Sequence, residues 1–222
     1  MEQSALFDWN FALEILPQLL EGLWVTIQAT FFGFIISMAI GLFFALARRS
    51  ENLLISAPIG AIVEFIKSTP LLVQLFIFFY ILPRYGFRVP AFQLGVFAIG
   101  LHFSTYTSEV YRAGINAVPR GQWEAARALN FTAFQKWTRI ILPQALPPMI
   151  PALGNYLIAM FKETAQLSAI TVVELMLSAR IIGTSEFRFV EPITLAGILY
   201  FAVSYPSSLF IQQLENRFGR AN

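Results

Sequence analysis

Long apolar segments without charged residues alternate with short charged segments along the chain. The longest uncharged runs are 22–47, 89–108, 140–161 and 192–214. A further segment, 53–82, is mostly apolar but contains Glu64, Lys67 and Pro70. A helix that crosses a bilayer needs about 20 mostly apolar residues, so the pattern predicts an all-α integral membrane protein with five transmembrane helices. The predicted spans are 23–47, 54–82, 91–110, 149–170 and 193–213.

The composition supports a membrane protein. Hydrophobic residues make up 57% of the 222 residues and charged residues only 13%. Soluble domains carry about 25% charged residues, so a bilayer must take up the surplus apolar surface. The length suits one transmembrane domain, 1–222, and a net charge of +2 is too small to indicate nucleic-acid binding. The single histidine and the absence of cysteine exclude most metal sites and any Cys/His nucleophile.

Basic residues are distributed unevenly between the two sets of loops that five spans create. Nine lie in one set: Arg48, Arg49, Arg112, Arg120, Arg127, Lys136, Arg139, Arg217 and Arg220. Four lie in the other: Arg84, Arg88, Arg180 and Arg188. Cytoplasmic loops carry the excess of Lys and Arg. We therefore expect a multi-pass membrane protein with the N-terminus outside and the C-terminus in the cytoplasm.

The predicted cytoplasmic loop at 111–148 carries the most specific local signals. Residues 122–129 are rich in helix formers, and Asn130 follows where a helix commonly ends in a left-handed residue. Thr132 with Gln135 three residues later predicts a capping box, which would begin a second helix.

These two short helices predict a docking surface for a partner protein. Ala125 and Ala126 would allow close approach, and aromatic side chains would supply apolar contact area. The aromatic residues are Trp123, Phe134 and Trp137. Glu124 could pair with a partner's arginine or act only as an acid in the first turn of its own helix. Pro143 should end the second helix or kink it into the next span.

The spacing of residues in this loop resembles the EAA loop of bacterial ABC importer permeases. The matching residues are Glu124-Ala125-Ala126, Asn130 and Ile140-Ile141-Leu142-Pro143. The family usually has glycine where Asn130 stands, and asparagine can hold the same backbone conformation.

The resemblance extends over nearly the whole chain. Residues 64–74 (EFIKSTPLLVQ) are similar to a segment of the polar amino acid permeases, the histidine, glutamine and arginine type, with Lys67-Ser68 in place of Arg-Gly. Residues 106–114 and 143–145 match the same group. A narrower likeness to ectoine and hydroxyectoine permeases is carried by residues 100–102, 147–151 and 160–164.

The resemblance implies a type I ABC importer permease fold and a pore-forming, multi-pass subunit in a bacterial cytoplasmic membrane. Two permease subunits, identical or related, would form the pore, a dimer of cytoplasmic ABC ATPases would grip the EAA loops, and an extracytoplasmic binding protein would deliver the solute. The chain lacks a P-loop, so we expect ATP and Mg to bind only to the ATPase, and no catalytic residue, metal or cofactor here. The implied coupling residues are Glu124, Ala125, Ala126, Asn130, Ile140, Leu142 and Pro143.

Polar and ionisable residues inside the predicted spans are candidates for a solute pathway, because such residues usually face a bundle interior or a wet cavity. The candidates are Glu64, Lys67, His102, Tyr106, Glu109, Lys162 and Glu163. They could provide opposite partners for a zwitterion, or they could pair with one another and only fix helix packing. His102 could likewise be a hydrogen-bonded packing residue. Pro70 should break the second span, and the carbonyls that it frees need a partner.

Two other functions are compatible with the residues taken alone. An ATP-independent channel or secondary carrier would use the intramembrane charges for coupling ions, but it leaves the docking loop unexplained. An integral-membrane enzyme would need a nucleophile–base pair or a metal cluster at one depth, and the sequence shows no such cluster.

Overall fold

The computed structural model describes residues 7–218, and this part of the chain is helical with no β-strand. Short π-helical and 3₁₀ segments join or extend some of the helices. The α-helices are α1 (Trp9–Ala47), α2 (Leu53–Ser68), α3 (Leu71–Phe76), α4 (Ala91–Ala117), α5 (Arg120–Ala128), α6 (Ala133–Lys136), α7 (Leu142–Glu163), α8 (Leu175–Ser185) and α9 (Val190–Phe218). The all-α prediction is confirmed.

Helix α1 begins at Trp9, well before the predicted start of the first span at residue 23. Asp8 caps it by accepting hydrogen bonds from the backbone N–H groups of Asn10 and Phe11. The helix continues through Pro17 because its buried face carries on in register beyond the uncharged run. The early members of that face are Ala12, Ile15 and Leu19. With 39 residues, α1 is about 58 Å long at 1.5 Å per residue, which exceeds the hydrocarbon core of about 30 Å.

Helices α1 and α4 run parallel and pack closely through small residues. A Cβ atom on Gly41 would lie 2.1 Å from Thr107 Oγ1, and one on Gly100 would lie 2.8 Å from the carbonyl oxygen of Gly33. Thr107 Oγ1 also donates to the carbonyl oxygen of Ser37 at 2.9 Å. Small residues allow this backbone approach, which is how helices associate in a bilayer without a hydrophobic driving force.

The second predicted span, 54–82, is not one helix. Helix α2 and the segment Leu71–Tyr85 meet at an angle of 102°, and Thr69 and Pro70 lie at the break. The break at Pro70 is therefore confirmed, and the freed carbonyls of Ile66 and Thr69 accept hydrogen bonds from Gln74 Nε2 at 2.7 and 2.9 Å.

Helix α7 runs antiparallel to its neighbours α4 and α9. Gly114 of α4 meets Met149, and Gly154 of α7 meets Ile211 of α9. A 3₁₀ segment, Thr164–Ile170, then leads to α8. The fourth predicted span, 149–170, thus consists of an α-helix that begins earlier and a 3₁₀ end.

A buried carboxylate joins α1, α8 and α9. Glu174 is fully buried at the start of α8, where it accepts hydrogen bonds from the backbone N–H groups of Met176 and Leu177. Tyr200 Oη of α9 donates to the same side chain at 2.9 Å, and Thr26 of α1 lies at 3.5 Å. Both carboxylate oxygens accept hydrogen bonds, as burial of a carboxylate requires.

The start of α1 is fastened to the start of α9 by ion pairs. Arg188 pairs with Asp8 at 3.4 Å and with Glu191, and its guanidinium lies over the ring of Phe11. Backbone N–H donation from Phe11 and Asn10, together with Arg188, lowers the pKa of Asp8.

Helix α1 and residues Val190–Arg217 of α9 are long and apolar enough to cross a membrane, and each of two bent helix pairs could add one span. The count of five spans and the orientation stay predictions.

The C-terminal ends of α1 and α4 lie side by side: Arg48 pairs with Glu109, and Arg49 donates to Asn116. The cytoplasmic ends predicted for α1 and α4 thus coincide. Arg220 lies outside the described residues.

Candidate solute cavity and coupling loop

A polar cavity of about 400 Å³ lies where the α2–α3 break, α4 and the end of α7 meet. It brings together residues that are far apart in the chain. The lining residues are Lys67, Ser68, Thr69, Pro70, Leu71, His102, Phe103, Tyr106, Ala159, Glu163 and Gln166. Four of the seven predicted pathway residues, Lys67, His102, Tyr106 and Glu163, therefore share one cavity.

The cavity contains opposite charges and neutral hydrogen-bonding groups. Lys67 enters from the end of α2, and Glu163 enters from the end of α7, where Gln166 donates a hydrogen bond to it. The ring of His102 lies 5.5 Å from that of Tyr106, centroid to centroid. A small molecule that carries both a carboxylate and an ammonium would find a partner for each charge here.

The other three predicted pathway residues lie outside this cavity. Glu64 is exposed and accepts a hydrogen bond from Ser68, while Lys162 is exposed on α7. Among the described residues, Glu64 and Lys67 do not form the ion pair that their spacing allows.

Glu109, the third of these residues, lies in a cluster of ion pairs. It pairs with Arg112, three residues later on the same helix, at 3.2 Å, and also with Arg48 of α1.

Sequence reasoning missed several polar residues of this region. Ser68 and Thr69, which follow the charged Lys67, line the cavity but are not among the predicted pathway residues. The same is true of Gln166, three residues after Glu163. Gln74, next to the cavity wall, is also absent from the prediction. The usable signal was the same for Gln74 and Gln166: an amide in an otherwise apolar segment must find hydrogen-bond partners, and it often lies near a break or a cavity.

The loop at 111–148, called the coupling loop after its predicted role, has the local structure that the sequence predicted. Helix α5 ends with Asn130 in the left-handed region at a φ of 55°. Asn130 N–H donates to Arg127 and Phe131 N–H to Ala126, which together form a Schellman motif. Thr132 and Gln135 exchange both hydrogen bonds of a capping box. These predictions are confirmed.

One face of α5 is fixed to the body of the protein. Ala126 is only 1% exposed and packs inward, so it cannot offer the close approach to a partner that its small size suggested. Trp123 and Trp137 are half-buried and meet edge to face at 5.6 Å. Both pack on a buried cluster that α4 and α7 share. The tryptophans therefore anchor α5 rather than forming its exposed surface.

The opposite face of the loop is free among the described residues. Glu124 and Ala125 are exposed, and the large apolar side chains of Leu129 and Phe134 are 66% and 77% exposed. Glu124 also lines a cavity of about 510 Å³ together with Trp123 and four basic residues. The basic residues are Arg49, Arg120, Arg127 and Lys136. This face combines apolar area and charge, the composition of a protein-docking surface.

The end of the EAA-like motif lies at a change in helix geometry. A π-helical turn, Trp137–Ile141, leads into α7, with Leu142 N–H donating to the carbonyl oxygen of Trp137. Pro143 lies in the first turn of α7, and the chain is helical on both sides of it, so it does not end the second helix. The kink stays a prediction. Ile140 and Leu142 are half-buried and Pro143 is exposed.

Comparison with known proteins places the chain in a family. The family described as "binding-protein-dependent transport system inner membrane component" matches residues 15–220. A probable amino-acid ABC transporter permease of Sinorhizobium fredii (strain NBRC 101917 / NGR234) is 43% identical over 216 residues, covering 94% of each chain. The L-cystine transport system permease of Bacillus subtilis (strain 168) is 37% identical over 205 residues, covering 92% of this chain and 88% of its own.

A solved structure agrees with these relatives. A crystal structure of an amino acid ABC transporter with histidines superposes with a TM-score of 0.88 at 36% identity, covering 95% of this chain and 99% of that one. The type I importer permease fold is thus confirmed, and the family match favours an importer over an ATP-independent channel or carrier. The chain belongs to the inner-membrane components of binding-protein-dependent transport systems, as a pore-forming permease subunit of an ABC importer.

Proposed function

We propose that this permease moves a zwitterionic amino acid or an amino-acid-like solute, and that the polar cavity is part of the route. The observation that carries the proposal is the presence of Lys67 and Glu163 in one cavity of about 400 Å³. Lys67 would meet the solute's carboxylate and Glu163 its ammonium. Cavities of about 300–1,000 Å³ are typical of small-molecule sites.

The relatives support an amino acid as the class of solute. The Sinorhizobium relative is described as a probable amino-acid permease and the Bacillus relative as an L-cystine permease. Ectoine and hydroxyectoine, to which the sequence points more narrowly, are zwitterions of similar size and belong in the same test panel.

The test is uptake by the complete importer in proteoliposomes, with ATP and Mg supplied on the ATPase side and with the binding protein and a panel of radiolabelled amino acids and ectoines on the other. Lys67→Met and Glu163→Gln should each reduce uptake at least about tenfold, since tenfold corresponds to about 1.4 kcal/mol and each variant leaves one solute charge without its partner. Lys162→Met and Glu64→Gln are matched controls, because these residues carry the same charges but lie outside the cavity.

The outcome is decided by the contrast within each pair. Uptake that falls in Lys67→Met but not in Lys162→Met supports the cavity as the route. Unchanged uptake in both cavity variants, with normal assembly of the importer, contradicts it.

The partners follow from the family and are proposed as follows. A second permease subunit completes the pore, a pair of cytoplasmic ABC ATPases binds ATP and Mg, and an extracytoplasmic binding protein delivers the solute. This chain itself hydrolyses no ATP and works in a bacterial cytoplasmic membrane. The ATPase would dock on the exposed face of the coupling loop, around Glu124, Ala125 and Phe134.

Coupling would work through the rigid attachment of α5. ATP shifts a two-state equilibrium only if it binds the two states differently, so movement of the ATPases must reach the cavity through connected structure. Trp123 packs on the buried cluster that α4 and α7 share and so ties α5 to both helices. Both of those helices also line the cavity, so displacement of α5 would change its shape.

A further inference from the structure

Gln74 makes an unusual set of contacts at the α2–α3 break. Its side chain is only 8% exposed. The amide nitrogen Nε2 lies 2.7 Å from the carbonyl oxygen of Ile66, 2.9 Å from that of Thr69 and 3.1 Å from Nδ1 of His102. One amide group thus contacts both the broken helix and the only histidine of the chain.

The two carbonyl groups determine which way the amide faces. A carbonyl oxygen only accepts hydrogen bonds, so both must face the NH₂ group of Gln74. The reversed amide would bring its own oxygen against the oxygens of Ile66 and Thr69. The observed orientation is therefore favoured, although Gln74 Oε1 then has no hydrogen-bond partner among the described residues.

The orientation of the amide determines the protonation of His102. An NH₂ group has no free lone pair to accept a hydrogen bond, so Nδ1 of His102 must be the acceptor, sharing an N–H of Gln74 with a carbonyl. A neutral imidazole with an accepting Nδ1 carries its proton on Nε2. An imidazolium would direct a second N–H at the amide protons, which this arrangement opposes.

The remaining ring nitrogen is available to the cavity. His102 lines the cavity and Gln74 does not. Because Nδ1 faces Gln74, Nε2 is the ring nitrogen left for the cavity, and within residues 7–218 it has no hydrogen-bond partner. The other ionisable groups that line the cavity are Lys67 from α2, Tyr106 from α4 and Glu163 from α7.

We propose that Gln74 is a positioning residue that holds His102 as the neutral Nε2–H tautomer, so that the cavity presents a fixed N–H donor to the solute. This donor would act beside Lys67 on the solute's carboxylate. The inference rests on the proposed solute route. Lys67 disfavours an imidazolium at His102 and Glu163 favours one. Because these two charges act in opposite directions, the contact of Gln74 Nε2 with Nδ1 determines the protonation state of His102. Recognition would then not vary over the pH range in which a free imidazole titrates, near pH 6.5.

The tautomer can be measured directly because the chain has one histidine. The full-length permease, carrying an affinity tag without histidine, is labelled with ring-¹⁵N histidine and studied by NMR in lipid nanodiscs. We expect one Nε2–H signal set that does not change between about pH 5.5 and pH 7.5, the range in which a free imidazole changes charge. Gln74→Leu should shift with pH and show both tautomers. A wild-type signal of imidazolium or of the Nδ1–H form at neutral pH overturns the proposal.

Uptake by the reconstituted importer supplies the functional readout. Wild-type uptake should be flat across the same pH range, whereas uptake by Gln74→Leu should change several-fold with pH. His102→Gln keeps an amide N–H near the position of Nε2 and cannot titrate, so adding it to Gln74→Leu should restore a flat profile. A double variant that stays pH-dependent overturns the positioning role.

A separate variant distinguishes failure of the tautomer from failure of the route. His102→Phe removes the donor but keeps a ring. Uptake should fall at least about tenfold, which corresponds to about 1.4 kcal/mol. Normal uptake by His102→Phe overturns the donor role of His102 in the route even where the NMR spectra show the expected tautomer.

Discussion

The coupling loop and the solute cavity are built in opposite ways. The coupling loop takes its shape from hydrogen bonds between near neighbours, such as Asn130 with Arg127 and Thr132 with Gln135. The cavity brings together Lys67 and Glu163, which are nearly a hundred residues apart in sequence. The shape of the loop therefore depends on local conformational preference, whereas the cavity depends on how the helices pack.

The two regions also differ in what a charge contributes. Glu124 is exposed at the surface of the loop, and exposed ion pairs contribute about 0–1 kcal/mol. Glu163 lies half-buried in a cavity at the end of α7, where a lower dielectric makes each charge interaction stronger. Substitutions in the cavity should therefore change solute transport, and substitutions in the loop should change docking of the ATPase.

The largest expected effect comes from the contact between α1 and α4, because α4 both lines the cavity and packs against the coupling loop. Gly41→Leu would force side-chain atoms into Thr107 and the backbone of α4, and overpacking of this kind costs about 1–3 kcal/mol or more. We expect little folded permease, measured as yield after gel filtration and as Tm. Gly197→Leu is the control, since a Cβ atom there meets no neighbour within 4 Å. Normal yield of the Gly41 variant would show that α1 and α4 do not depend on this contact.

The next effect separates the two regions. Glu124→Lys should leave the fold and the cavity intact. It reverses the charge at the docked interface, where like-charge contact costs more than the loss of an exposed pair, so it should weaken ATPase docking and reduce ATPase stimulation and uptake at least about tenfold, equivalent to about 1.4 kcal/mol. Co-purification of the ATPase and ATPase activity in liposomes measure this. Glu51→Lys makes the same charge change at another exposed position and should have no effect. Normal stimulation in Glu124→Lys contradicts docking at this face.

A smaller effect tests the local origin of the loop's shape. Asn130→Val places a β-branched residue at a φ of 55°, which costs about 1–2 kcal/mol in the left-handed region. We expect a few-fold loss of uptake and faster proteolysis of the loop. Asn130→Gly, the residue that the family usually has here, should behave as wild type. Equal behaviour of the valine and glycine variants would mean that the Schellman motif does not maintain the docking face.

The smallest effect lies outside both regions. The pKa of Asp8 is lowered in the folded chain, so its ionised form stabilises the fold above the unfolded pKa, and this contribution is lost as the pH falls through the folded pKa. Asp8→Asn keeps a capping side chain but removes the charge, and should lower the Tm slightly at pH 7. The difference from wild type should shrink at acidic pH, with solute uptake and ATPase docking unchanged. A Tm difference that is constant with pH contradicts this role.

The sequence predicted the helical fold and the details of the loop for the same physical reason. Capping at Thr132, the left-handed Asn130 and the break at Pro70 depend on backbone chemistry within a few residues, and a single sequence contains that information. The start of α1 at Trp9 was missed because Glu14 and Glu21 end the uncharged run, although the helix continues through them.

The cavity could be predicted only as a set of candidates. Helical periodicity shows which residues share a face but not which faces meet, so Lys67 could not be separated from Lys162, nor Glu163 from Glu109. Gln74 was overlooked because its role depends on two carbonyls freed by a bend and on a histidine of another helix. Such a role exists only after packing.

The close contact between α1 and α4 has a mechanical consequence. Glycine has no side chain, and the serine and threonine side chains are too short to rearrange so that one helix could slide past the other. We therefore expect α1 and α4 to move together as a rigid pair. Helix α7 is softer: it follows a π turn, and its interior prolines lack N–H groups and leave carbonyls without their usual partners. Those prolines are Pro147, Pro148 and Pro151. Bending during transport should therefore concentrate in α7, which carries Glu163 at its far end.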